Sequence, residues 1–418
     1  MYALVDCNNF YASCERVFNP NLQNKPIAIL SNNDGCVISR SDEAKALKLP
    51  MGAPIFKWEG FCKINNIHIL SSNYPLYGDM SNRVMNILAQ FTPDVEVYSI
   101  DEAFLEFKGY DRYDLTNYGN QMRQRILKWT GIPTCVGIAP TKSLSKVANK
   151  IARKFPETTK GVYVIDSEEK RIKALKWLAI EDVWGIGRGL QKRLKAKGCK
   201  KAYDFTQLSD DWVRKNFAIT GWKLKKDLEG ISKLKLDELQ TKRAIATTRS
   251  FEYTYSDIDN IKERISTFAT SCAEKLRKQG SSCHLVYVTL SSDRHKKDSE
   301  QHRASRIVSL PYATDSSLII SQHAIAAVQH IFKNGIKYKR AGVIVMGLVP
   351  TNNHQLQMFD NENPKHKPLM HTIDKLNKKY ADYKIKLGNQ DLKRTWKMRQ
   401  ERLSPRYTTN INEIIVVK

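Results

Sequence analysis

The chain has 418 residues, 41% of them hydrophobic, and at a usual size of roughly 100–200 residues per domain this points to two to four domains, not one compact unit. Its 68 Lys and Arg outnumber 43 Asp and Glu, and the resulting charge of +25 is too one-sided for surface solvation alone. A polyanionic partner is expected, nucleic acid ahead of an acidic membrane, because no basic amphipathic helix stands beside a lipidation signal.

Eight scattered cysteines with no C-x-x-C pair point to neither a zinc site nor a disulfide framework. The start, MYALVDCNNFYASCE, lacks the charged and apolar regions of a leader, and no apolar run is long enough to span a bilayer. The expectation is a cytoplasmic protein with no membrane association.

MYALVD reads as a buried strand ending at Asp6, and Phe10, Cys14 and Val17 of the following residues fall at helical spacing. KPIAILSNNDGCVISRSDEAKALKLPMGAPIF contains short strands, an Asn-Asp-Gly turn and a small helix, too little for a large core, and reads as a lobe inserted on the main sheet. DVEVYSIDEAFLEF has apolar residues at alternating positions on either side of Asp101 and Glu102. Two strands joined by a sharp bend are predicted, with both acids at the tip. A helical segment around YGNQMRQRILKWT, the strand PTCVGIA, a helix over 141–154 and the strand GVYVI complete a mixed α/β unit.

From about Glu168 to Leu236 the pattern is helical, with seven basic residues and no acid between Gly187 and Ala202. Gly185, Gly187 and Gly189 do not form a dinucleotide fingerprint, since no strand precedes them; a turn facing a phosphate, flanked by basic helices, fits better. From Lys242 the order is strand, helix, strand, strand, helix, strand, the split β-α-β pattern. A polar linker, PTNNHQLQMFDNENPKHKP, leads to a basic tail whose aromatic content argues against full disorder.

Asp6, Asp101 and Glu102 carry the chemistry. Three carboxylates gathered at one sheet edge repel one another and need cations, and hard oxygen ligands suit Mg²⁺. Two such ions about 3.5–4 Å apart can activate a hydroxyl and stabilise a leaving pyrophosphate. In a basic protein this pattern favours nucleotidyl transfer; a metal-dependent nuclease and a catalytically idle DNA-binding scaffold remain as alternatives.

The strings DCNNFYASCE, CVISRSDEAKALKLPMGAPIF, YSIDEAFLEF, GIAPTKSLSKVANKIA and VWGIGRGLQKRL resemble the Y-family translesion DNA polymerases over nearly the whole chain. The N-terminus and the tail string LSPRYTT are similar to the UmuC branch of that family. The resemblance implies a multi-domain α/β and α+β right-hand polymerase with a basic C-terminal tail. Its palm covers 1–25 and 72–166, its fingers 26–71, and its helical thumb with a helix-hairpin-helix 167–238. A β-α-β-β-α-β little finger covers 239–350, a linker with a clamp-binding motif 351–368, and a UmuC-type segment 369–418.

The same resemblance implies site roles. Asp6, Asp101, Glu102 and the Cys7 backbone carbonyl hold two Mg²⁺ ions, with Mn²⁺ as a substitute. Phe10, Tyr11 as steric gate, Ile38, Lys45, and Arg153 or Lys154 receive the dNTP. Asp42 stands where many members have Tyr, which departs from the usual triphosphate contacts. Gly185, Gly187, Arg188, Lys192 and Arg249 hold primer-template DNA. Gln355, Leu356, Met358 and Phe359 resemble the pentapeptide that docks on the β sliding clamp. A UmuD′ dimer and a RecA-ssDNA filament are further partners the resemblance implies, and error-prone synthesis in the SOS response, at the bacterial nucleoid, is the expected role.

Overall fold

The computed structural model describes residues 1–238, 240–296, 299–351, 363–380, 383–392 and 398–416. The chain divides into two compact units, Met1–Glu238 together with Gln400–Lys418, and Leu239–Arg399. The C-terminal residues are thus divided between the two units. No helix among the described residues is long and apolar enough to cross a membrane.

In chain order the first unit contains β1 (Tyr2–Cys7), α1 (Phe10–Phe18), β2 (Ile27–Leu30), β3 (Val37–Arg40), α2 (Asp42–Ala46), α3 (Ile55–Ile64), β4 (His68–Ser71) and α4 (Tyr74–Leu88). These are followed by β5 (Val95–Val97), β6 (Glu102–Glu106), α5 (Leu115–Thr130), β7 (Thr134–Ala139), α6 (Lys142–Lys154), α7 (Pro156–Thr159) and β8 (Val162–Val164). The helices α8 (Glu168–Trp177), α9 (Arg188–Ala196), α10 (Ala202–Thr206) and α11 (Asp210–Leu228) complete it.

Five strands form the main sheet in the order β5-β6-β1-β7-β8. β1 is central and buried on both faces, which is why it reads as a nearly unbroken apolar run. On one face Ala3, Val5 and Cys7 join Leu105, Val136 and Ile138 in a core closed by α1, α4 and α5. Each large aliphatic side chain buried this way contributes about 1.5–3 kcal/mol. On the other face α6 lies directly on the sheet. A Cβ at Gly137 would meet the Asn149 backbone nitrogen at 2.0 Å, so only glycine allows this approach. The Asn149 amide fixes it by donating to the carbonyls of Leu4 at 3.2 Å and Cys135 at 2.8 Å.

The inserted lobe is a separate three-stranded sheet, β3-β2-β4, with its own core of Ala28, Leu30, Val37, Leu49 and Cys62. Helix α4 was not anticipated, because Pro75 and Gly78 interrupt its first turns in sequence. Pro75 sits in the first turn, where its missing N–H costs nothing, and Leu76, Met80, Val84 and Leu88 form the buried stripe.

The second unit contains β9 (Ala244–Tyr255), α12 (Ile258–Gln279), β10 (Ser281–Ser292), β11 (Arg303–Thr314), α13 (Ser317–Ile331), β12 (Tyr338–Pro350) and α14 (His366–Tyr380). Its sheet order, β11-β10-β12-β9, is the split β-α-β arrangement that the sequence pattern predicts. Ile261, Ile265, Phe268, Cys272 and Leu276 form the buried face of α12, as their spacing requires. Helix α14 is fastened to α12 by an Arg277–Asp374 ion pair at 2.6 Å.

Candidate active site

Asp6 and Glu102 are register partners across the β1–β6 ladder, so their side chains leave the same face of the sheet. Asp101 precedes β6 in the turn, where strand alternation does not apply, and its carbonyl accepts from the Cys7 N–H at 2.9 Å. The tip is fixed by Ser99, whose hydroxyl donates to Asp101 Oδ1 at 2.6 Å and accepts from the N–H of Glu102 at 3.1 Å. Thus the three acids meet at the carboxyl end of the central strand. Burial, then the neighbouring Glu102 carboxylate, pushes the Asp6 carboxyl up to about 8.

Helix α6 supplies the counter-charges. Lys146 Nζ lies 2.7 Å from Glu102 Oε2 and Arg153 3.5 Å from Asp6 Oδ1. Seven residues apart, the two cations occupy one face of the helix. Sequence reasoning missed Lys146, although its spacing from Lys142 and Arg153 marks a basic stripe. Among the described residues no group of three or more His, Cys, Asp or Glu side chains forms a ready metal cage. The donor set nonetheless fits Mg²⁺, which takes one or two carboxylates plus substrate phosphates in place of an all-protein cage, and the repulsion felt by Asp6 marks the charge an ion would neutralise.

Beside the acids a recess of about 600 Å³ is lined by Asn8, Asp42, Arg123, Arg153, Lys154 and Lys160, among others. Its charge suits a polyphosphate. Asn9, which the sequence reading passed over, joins the inserted lobe to the main sheet here. Its Oδ1 accepts from Lys45 Nζ and, at 2.8 Å, from Arg153 Nη2, while Asn9 itself takes the left-handed conformation at φ 48°. Asp42 pairs with Lys45 at 2.9 Å.

Tyr11 is half-buried at the start of α1, stacked on Tyr77 with ring centroids 4.4 Å apart and planes at 15°, and edge-on to Tyr74 at 6.1 Å. Phe10, the residue before Tyr11, is 2% exposed and packs in the main core. The Cys7 thiol is likewise in the core, so only its main chain can serve an ion. Ile38 is partly buried against the main core, and Lys154 is exposed.

Arg188 and Lys192 project from α9, whose N-cap is Gly187; Gly185, at φ +85°, makes the turn before it. Both basic residues are exposed. Arg249 is exposed on β9 of the second unit, within hydrogen-bonding reach of Met398 Sδ. The stretch Gln355, Leu356, Met358 and Phe359 lies outside the described residues.

The fold is that of a right-hand polymerase: a Y-family DNA polymerase chimera, Dbh-Dpo4(243-245)-Dbh, matches with a TM-score of 0.69 at 21% identity, over 83% of this chain and 99% of that one. Residues 5–150 match the impB/mucB/samB family, residues 242–358 its C-terminal domain, and residues 367–417 a domain of unknown function (DUF4113). Protein UmuC of Salmonella typhimurium is 37% identical over 100% of both chains, and Protein ImpB of Salmonella typhimurium 36% over 99% of each. A protein of Oceanobacillus iheyensis named DNA polymerase IV is 25% identical over 90% of this chain and 88% of that one. The chain belongs to the impB/mucB/samB family.

Proposed function

We infer that the chain is an error-prone, template-directed DNA polymerase that performs translesion synthesis in the SOS response by nucleotidyl transfer, without proofreading. The observation that carries this reading is the convergence of Asp6, Asp101 and Glu102 beside a basic recess, at the end of the central strand. Asp6, Asp101, Glu102 and the Cys7 carbonyl would hold two Mg²⁺ ions, or Mn²⁺, which supply polarisation of the primer hydroxyl and stabilisation of the leaving pyrophosphate.

In this reading Lys45, Arg153 and Lys154 take the triphosphate, and Ile38 covers the base. Tyr11 stands where a ribose 2′-hydroxyl would go and excludes it by clash. Gly185, Gly187, Arg188, Lys192 and Arg249 track DNA phosphates, a contact that is blind to sequence. Docking on a β sliding clamp through Gln355 to Phe359, and partnership with a UmuD′ dimer and a RecA-ssDNA filament at the nucleoid, belong to the same proposal on resemblance alone.

Incubation with a primed template, the four dNTPs and Mg²⁺ tests it. Template-directed extension is expected, and Asp101→Ala is expected to abolish it while leaving DNA binding in place. Shortening of the primer would favour a nuclease; DNA binding with neither activity would favour a scaffold.

A further inference from the structure

Residues 402–407, within the stretch that matches a domain of unknown function, return to the first unit and reach α1, the helix that carries Tyr11. The Arg402 carbonyl accepts from the Ser71 N–H at 2.9 Å, extending the exposed side of β4. Further on, Tyr407 stacks on Phe18 with centroids 4.9 Å apart and planes at 10°.

Between these anchors, Ser404 makes two contacts that converge on one place. Its hydroxyl donates to Glu15 Oε1 at 3.0 Å, and the Tyr77 hydroxyl donates to the same oxygen at 2.7 Å. Glu15 is only 2% exposed, and no step of the polymerase reaction uses it. A buried carboxylate costs free energy unless donors satisfy it, so the two hydroxyls hold each other in place through it. Glu15 also lies four residues after Tyr11, on the same face of α1. The second contact is with Asn73, the N-cap of α4, whose amide donates to the Ser404 and Pro405 carbonyls, each at 3.1 Å. The residue that starts α4 is thereby fixed, and α4 carries Tyr74 and Tyr77, whose rings both touch Tyr11.

We propose that this C-terminal strap is a buttress of the sugar-selecting pocket, with Ser404 as a positioning residue that fixes Tyr11 through Glu15 and Tyr77. The proposal rests on the reading of Tyr11 as the group that excludes a 2′-hydroxyl. A ring free to tilt by a fraction of an ångström would admit ribonucleotides that a fixed ring rejects.

Single-nucleotide insertion by the full chain, with dNTP and rNTP in parallel, tests it. Ser404→Ala and Tyr77→Phe are each expected to lower the dNTP-over-rNTP ratio of kcat/KM by about three- to tenfold, mostly through better rNTP use, with Ser404→Thr restoring it. In a Tyr11→Ala background, Ser404→Ala is expected to change the ratio by less than about twofold, as two residues acting through one ring require. An unchanged ratio in both Ser404→Ala and Tyr77→Phe, or equal losses for both sugars, would overturn the buttress while leaving Tyr11 in its role. An unchanged ratio in Tyr11→Ala itself would overturn the reading of Tyr11, and the buttress with it.

Discussion

Asp6 and Glu102 face each other across the β1–β6 ladder, and burial together with that neighbour holds the Asp6 carboxyl up at about 8. The folded chain therefore binds this proton more tightly than the unfolded one, whose carboxyl titrates near 3.8. Without metal, the contribution of Asp6 to stability is most favourable below the unfolded value and falls as pH rises through about 8. Asp6→Asn is expected to gain stability over the parent, by up to a few kcal/mol, with the gain growing across that range. It is expected to lose primer extension. Since a divalent ion must displace the proton, the Mg²⁺-induced rise in Tm of the parent is expected to increase with pH and to vanish in Asp6→Asn. Thermal melts at several pH values, with and without Mg²⁺, check both.

Tyr11, stacked on Tyr77, is the ring proposed to exclude a 2′-hydroxyl. Tyr11→Ala is expected to raise rNTP insertion by roughly one to two orders of magnitude, with little change for dNTP. Parallel insertion assays measure it.

Asp42 occupies Lys45 through an exposed ion pair. Removing that carboxylate, which leaves Lys45 its bond to Asn9, is expected to lower KM for dNTP by about two- to fivefold in Asp42→Ala, the range of exposed pairs, with kcat changed less. Steady-state insertion kinetics separate the two constants. An unchanged KM would remove Asp42 from the triphosphate site.

Lys142 and Glu96 form a buried pair at 2.6 Å, and Glu96 also accepts from the Asp237 N–H at 2.7 Å. Lys142→Met is expected to cost about 3–5 kcal/mol in urea unfolding, because the carboxylate stays buried without its cation. Lys142→Met with Glu96→Leu is expected to recover most of the loss.

Lys192 stands exposed on α9, and the proposed function has it track DNA phosphates. Lys192→Ala is expected to weaken DNA binding alike on all sequences and to reduce the slope of log Kd against log salt by about one. Titrations at several salt concentrations read the slope directly.

Much of this was legible from local pattern. The apolar run of β1, the alternation around Asp101 and Glu102, and the helical spacing of α12 each follow from one element's own periodicity. What escaped was set between elements. Nothing in a left-handed Asn9 announces that it accepts from Lys45 and Arg153, 36 and 144 residues away. Lys146 was readable as part of a stripe, yet its partner is chosen by the close approach that Gly137 permits. Helix α4 hid behind Pro75 and Gly78, whose usual meaning as breakers yields to their place in the first turns.

The return of residues 402–407 to the first unit orders events during synthesis. The surface that receives them, at Ser71, Asn73 and Phe18, leaves the ribosome early, while the segment that covers it emerges only after the whole of the second unit. A chain cut short near its end would thus keep Asp6, Asp101 and Glu102 and still lack the residues that bond Glu15 and Asn73.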